Sequence, residues 1–92
     1  MIDASALPGE QPWVPECVVL APATGVFRLL PGRALTEGAM VFEGDTIGLV
    51  ESSGETTPVR TRFTGFLMGM LAHGEERVRE GQPVAWLRNV PT

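Results

Sequence analysis

The sequence predicts an all-β domain: a flattened barrel or sandwich of two small antiparallel sheets with a pseudo-two-fold internal repeat. Three observations carry that expectation. The 92-residue chain holds 11 glycines and 8 prolines, spread along its length as short strands joined by tight turns require. No segment shows a helical i, i+3, i+4, i+7 apolar stripe longer than about two turns. The chain also matches itself. Val41-Phe42-Glu43-Gly44-Asp45-Thr46-Ile47 aligns with Val78-Arg79-Glu80-Gly81-Gln82-Pro83-Val84 at an offset of 37, a register that continues with Leu49 on Trp86 and Val50 on Leu87. Upstream, Val19, Thr24, Gly25 and Phe27 match Val59, Thr64, Gly65 and Leu67 at an offset of 40. The difference between the two offsets falls in a connecting loop around residues 31–38, longer in the first half.

Residues 1–16 carry three prolines and no sustained periodicity, which reads as an extended N-terminal arm, with Trp13 and Val14 as the side chains able to tack it to the body. A short apolar strand follows at Cys17–Leu20, closed by Ala21-Pro22. Gly25 to Leu30 places Phe27 and Leu29 on one face and Arg28 on the other, and Pro31-Gly32 ends it as a turn dipeptide. Thr46 to Glu51 puts Ile47 and Leu49 on one face at period two. Val59-Arg60-Thr61-Arg62-Phe63 alternates as a half-exposed strand should. In Gly65 to Leu71, Phe66, Met68 and Met70 share one face, opposite Leu67, Gly69 and Leu71, so both faces are apolar; that suits a central strand better than a Met-rich contact surface. Pro83 to Arg88 is the last strand, and residues 89–92 form a tail. In each half Glu-Gly followed by a polar residue or proline marks a tight turn whose glycine takes positive φ.

Composition narrows the function classes. Net charge is −4 with no basic cluster, which argues against nucleic acid as a partner. No apolar run approaches about 20 residues, the length a membrane-spanning helix needs, and no secretory signal is visible. One cysteine, Cys17, cannot build an internal disulfide framework and suits a reducing, cytoplasmic setting. All seven basic residues are arginine, and the chain holds no lysine.

Four segments in order resemble the biotinyl/lipoyl carrier domains, over about residues 17–88. Glu43-Gly44-Asp45-Thr46-Ile47-Gly48-Leu49-Val50-Glu51 resembles the segment leading to their modified lysine, and Ala21-Pro22-Ala23-Thr24-Gly25 their opening strand and turn. Thr64-Gly65-Phe66-Leu67 and Val78-Arg79-Glu80-Gly81-Gln82-Pro83-Val84 resemble their second half. The resemblance implies the barrel-sandwich hybrid fold. In biotin carriers the glutamate is followed by Ala-Met-Lys-Met; here Glu51 is followed by Ser52-Ser53-Gly54-Glu55. The family spacing from the acceptor lysine to the glycine of the next half is eleven residues, which is the spacing from Gly54 to Gly65. The hairpin is therefore kept, and Gly54 stands at the lysine position. Glycine supplies neither an ε-amine nor a swinging stem, and no other lysine can replace it, so the expectation is no biotin or lipoate cofactor.

Other candidates are weaker than their ordinary readings. Ser52 and Ser53 read as solvated turn residues rather than acceptors of a phosphopantetheine or phosphate. His73 is the one histidine and has no ligand-spaced cysteines, so no metal site is expected. Cys17 reads as a small buried hydrophobe rather than a reactive thiol. Glu43 and Glu80 look like paired carboxylates, but the repeat explains them as turn residues. No catalytic constellation can be assembled, and an enzyme is not expected. Arg60 and Arg62 are the best basic contact candidates, against the alternative of a solvated face.

These readings lead to a non-acylated carrier-like domain serving as an accessory, assembly or regulatory module, its partner a biotin-dependent carboxylase or a related multienzyme subunit. The sequence leaves open a small-molecule-binding protein that reuses the fold, a carrier with a non-lysine acceptor such as Ser53 or the N-terminal amine, and a homodimer formed through edge strands or residues 1–16.

Overall fold

A computed structural model describes residues 16–31 and 35–90. Eight strands run in chain order: β1 (Glu16–Leu20), β2 (Gly25–Arg28), β3 (Met40–Val41), β4 (Thr46–Ser52), β5 (Glu55–Arg60), β6 (Gly65–Met70), β7 (Arg77–Val78) and β8 (Pro83–Asn89). They form two four-stranded antiparallel sheets, β1-β8-β6-β3 and β5-β4-β2-β7. Advancing every strand of the first sheet by half the set, so that β1 becomes β5 and β8 becomes β4, reproduces the second. The sequence repeat is thus a pseudo-two-fold axis between the sheets.

The backbone hydrogen bonds repeat with it. The Glu43 N–H donates to the Thr64 hydroxyl at 3.0 Å, and the Glu80 N–H donates to the Thr24 hydroxyl at 3.0 Å. The Phe42 N–H reaches the Asp45 carboxylate at 2.9 Å, and the Arg79 N–H reaches the Gln82 amide oxygen at 3.0 Å. Gly44 and Gly81 close the two turns at φ 92° and 88°, the left-handed region that a β-carbon disfavours. The two Glu-Gly motifs are therefore matched turns.

The core lies between the sheets. Val19, Phe27, Val41, Ile47 and Val50 from the first half meet Val59, Leu67, Val78, Val84 and Leu87 from the second, all buried. Most of these are repeat mates, so both sheets turn equivalent side chains inward.

The structure corrects the sequence reading within three strands, each for a backbone reason. Ile47 and Leu49 do not share a face. The β4–β5 register skips Ile47, pairing Thr46 with Arg60 and Gly48 with Val59, and the β1–β8 register skips its mate Val84 in the same way. Such a bulge reverses the inward–outward alternation, so Ile47, Gly48 and Val50 face the core while Leu49 is half-buried. A third bulge at Met68 puts Gly69 opposite Trp86, and Met70 then packs against the core rather than standing beside Phe66. Finally, the strand expected over 59–63 lies earlier, at Glu55–Arg60. Beyond it the Thr61 N–H still bonds to the Asp45 carbonyl, and the chain then bends where the Thr61 hydroxyl accepts from the Phe63 N–H at 3.0 Å. Pro58 fits β5 because β5 is an edge strand.

The two-residue strands β3 and β7 were not visible as strands in the sequence. Leu29 lies beyond β2 and is exposed rather than sharing the core with Phe27. Glu16, assigned to the arm by sequence, begins β1; the rest of the arm, with Trp13 and Val14, lies outside the described residues.

Candidate functional site

The β4–β5 hairpin is the feature without a repeat mate: its counterpart is the open end where β1 begins and β8 finishes. Ser52 pairs with Glu55, leaving Ser53 and Gly54 as a two-residue loop. Both take positive φ, 51° and 84°, the signature of a type I′ turn whose twist matches the flanking strands. Ser-Gly suits that turn, and a β-carbon on Gly54 would meet nothing within 4 Å. Ser52, Ser53, Gly54 and Glu55 are all exposed. The tip therefore offers hydroxyls and one carboxylate to solvent, and no amine.

Glu51, at the root of the hairpin, is tied down. The Arg28 Nε donates to its Oε1 at 2.6 Å, and the Arg28 Nη1 donates to both Glu75 carboxylate oxygens at 2.7 and 2.6 Å. Val26 is the residue directly opposite Glu51, so Arg28 reaches it diagonally across the sheet surface. Hydrogen bonds donated to Glu51 and then Glu75 raise the Arg28 guanidinium above its ordinary pKa. In the sequence Arg28 falls on the face opposite Phe27, and nothing local signals this pairing, because both partners are distant in the chain.

Arg60 and Arg62 lie elsewhere. Arg60 ends β5 and Arg62 follows in the bend, and both line a groove of about 530 Å³ between β1 and β5. Along β5 the hairpin tip is some five residues from Arg60, roughly 17 Å at the usual strand rise. The two sequence-selected groups are not one site. The groove itself left no sequence signal, since it depends on how the two edge strands meet.

Two further candidates lie apart from the hairpin tip. Cys17 is half-buried, and burial raises its thiol pKa; it lines a smaller cavity of about 290 Å³ with Val18, Leu71 and Trp86. His73 is exposed, and its backbone N–H donates to the Glu76 carboxylate at 2.8 Å. Among the described residues no three His, Cys, Asp or Glu side chains gather as a metal site.

No protein-family model matches the chain, and no curated protein does. Solved structures do match. One is a single-chain, multi-domain long-chain acyl-CoA carboxylase, with a TM-score of 0.70 at 16% identity, covering 87% of this chain and 8% of that one. Another is the Kluyveromyces lactis urea carboxylase, with a TM-score of 0.67 at 19% identity, covering 84% of this chain and 6% of that one. The chain thus spans less than a tenth of the length of either carboxylase, and at these identities the likeness is one of fold: a barrel-sandwich of two four-stranded sheets that also occurs within large carboxylases.

Proposed function

We propose that this chain is a non-acylated carrier-like domain that acts as an accessory, assembly or regulatory binding module for a biotin-dependent carboxylase-type system. One observation carries the reading: the β4–β5 hairpin, which by the resemblance would present the acceptor lysine, closes in a two-residue Ser53-Gly54 turn in a chain without lysine. Biotin and lipoate are both attached as amides to a lysine ε-amine. Ser52, Ser53, Gly54 and Glu55 supply none, so the tip does not fit either group. The fold shared with two carboxylases supports the choice of system. A domain that keeps the carrier's shape but lacks its arm can dock where a carrier docks without delivering a carboxyl group.

The test is a tagged pull-down from the native host, with the same eluate read by intact mass. Co-purification of a carboxylase subunit with a chain of unmodified mass is the expected result. An added biotin or lipoate mass overturns the reading. An adduct on Ser53 or on the N-terminal amine would make the chain a carrier of another kind.

A further inference from the structure

We propose that the groove between β1 and β5 binds an extended, acid-rich segment of a partner protein, one that carries apolar side chains between its carboxylates. Both walls are edge strands. Among the described residues β1 is hydrogen-bonded only to β8, and β5 only to β4, so their other edges face each other across the groove with no ladder between them. The pseudo-two-fold axis runs through it: Val18, Leu20 and Pro22 on one wall are the repeat mates of Pro58, Arg60 and Arg62 on the other. Equivalent backbones thus carry different chemistry: one wall is apolar throughout, and the other sets Arg60 and Arg62 between Pro58 and Phe63.

The two cations have no carboxylate partner among the described residues. Arg28 and Arg88 each hold a carboxylate, whereas Arg60 and Arg62, like Arg77 and Arg79, have no ion pair among the described residues; of these four, Arg60 and Arg62 line the groove. Charge complementarity therefore points to carboxylates supplied from outside, each able to take a charge-assisted, bidentate pair with a guanidinium. The other wall leaves Val18 43% and Leu20 49% exposed, which calls for apolar side chains in the same occupant. An extended segment meets both demands, because its successive side chains point to opposite sides. Alternating acidic and apolar residues would face the arginines and the valine–leucine wall in turn. Pro58 removes one donor from the β5 edge, so side chains rather than a continuous backbone ladder set the specificity. A nucleic acid would need a far broader basic surface than two arginines on a chain of net charge −4.

The inference rests on the binding-module reading for its expectation of a protein partner, but its test does not depend on acylation. A random library of short displayed peptides is selected on the intact 92-residue chain, and the enriched peptides are titrated at low and at physiological salt. Acid-rich, apolar-interleaved peptides are expected. Their affinity should fall as salt rises and drop by about tenfold or more in the Arg60→Glu/Arg62→Glu double variant. Both side chains are exposed, so that variant should melt as the parent does. Reselection on it should give basic peptides. Selection without acidic enrichment overturns the proposal, and so does acidic binding that survives charge reversal. Binding seen only after residues 1–15 are deleted also overturns it, by making the chain itself the occupant. Intact mass from native cells judges the unacylated reading separately, so either can fail while the other stands.

Discussion

The two sheets present outer faces built on the same backbone, and they diverge at particular positions. On β1-β8-β6-β3, Val18, Leu20, Phe66 and Trp86 leave apolar surface exposed or half-buried. Their repeat mates on β5-β4-β2-β7 are Pro58, Arg60, Val26 and Leu49, and Met40 is answered by Arg77. The second face also carries the Arg28, Glu51 and Glu75 cluster. Inside, the halves hardly differ: Val19 answers Val59, Val41 answers Val78 and Val50 answers Leu87. The symmetry is a property of packing. Inward positions are held alike because each fills the same kind of space between two sheets, while outward positions are free to diverge and carry whatever distinguishes one face from the other.

The largest test of that contrast lies in the core. Phe27 and Leu67 are repeat mates, both fully buried. Phe27→Ala should cost roughly 3–5 kcal/mol and Leu67→Ala roughly 2–5 kcal/mol, measured by denaturant unfolding. Comparable losses in a single cooperative transition mean that the halves form one core. A large loss for one variant alone would mean that one half dominates stability, and the symmetry would then be only geometric.

A smaller effect probes how the halves balance volume. A β-carbon on Gly48 would stand 2.6 and 2.7 Å from the Phe27 ring carbons. The mate of Gly48 is Ala85, in the half where Leu67 takes the place of phenylalanine. Gly48→Ala should therefore overpack the first half and cost about 1–3 kcal/mol. Adding Phe27→Leu, which makes the first half resemble the second, should recover part of the loss, with a favourable coupling of about 1 kcal/mol in a double-mutant cycle. Plain additivity would mean that the ring moves aside and the two positions do not compensate.

The repeat made the fold legible in the sequence, because the same short motifs had to recur wherever the same turn and inward side chain recurred. Gly44 and Gly81, Thr24 and Thr64, and Phe27 and Leu67 could all be aligned before any coordinates. The twin bulges could not. Ile47 and Val84 are skipped by the register of a partner strand, and nothing in the local alternation of Thr46-Ile47-Gly48-Leu49 distinguishes a bulged strand from a regular one. β3 and β7 escaped notice because two residues show no periodicity. At the candidate site the hairpin tip was readable from spacing and turn chemistry. The Arg28 anchor and the groove beside Arg60 and Arg62 were not, since both arise from contacts between segments distant in the chain.

The hairpin tip offers a further comparison, with the rest of its own sheet. Gly54→Lys should cost only about 1 kcal/mol, the usual charge for a side chain at positive φ, because the position opens onto empty space. In a domain of this size that is a melting-temperature drop of about 4–8 °C. A much larger drop would mean that the tip packs against something and that its glycine is there for stability. A cost near the expected value leaves glycine at this position without a packing reason, as the loss of an acceptor would.

The smallest expected effect compares two loops that the repeat makes equivalent. Gly38 takes φ 90°, and its mate at the offset of 37 is Glu75, which takes φ 70°. Their N–H groups make the same bond, to the Leu67 carbonyl at 2.6 Å and to the Phe27 carbonyl at 2.7 Å. The turn thus demands a left-handed residue in both halves, and the second half meets that demand with a side chain whose carboxylate holds Arg28. In an Arg28→Ala background, where the carboxylate has lost that partner, Glu75→Gly should stabilise the chain by up to about 1 kcal/mol through relief of the backbone. In the parent the gain should be smaller, because the same substitution strips Arg28 of one of its two acids. Equal effects in the two backgrounds would show that the Arg28 pair contributes nothing measurable at this exposed site. The glutamate would then be merely tolerated in its loop, and the charged face would owe its order to Glu51 alone.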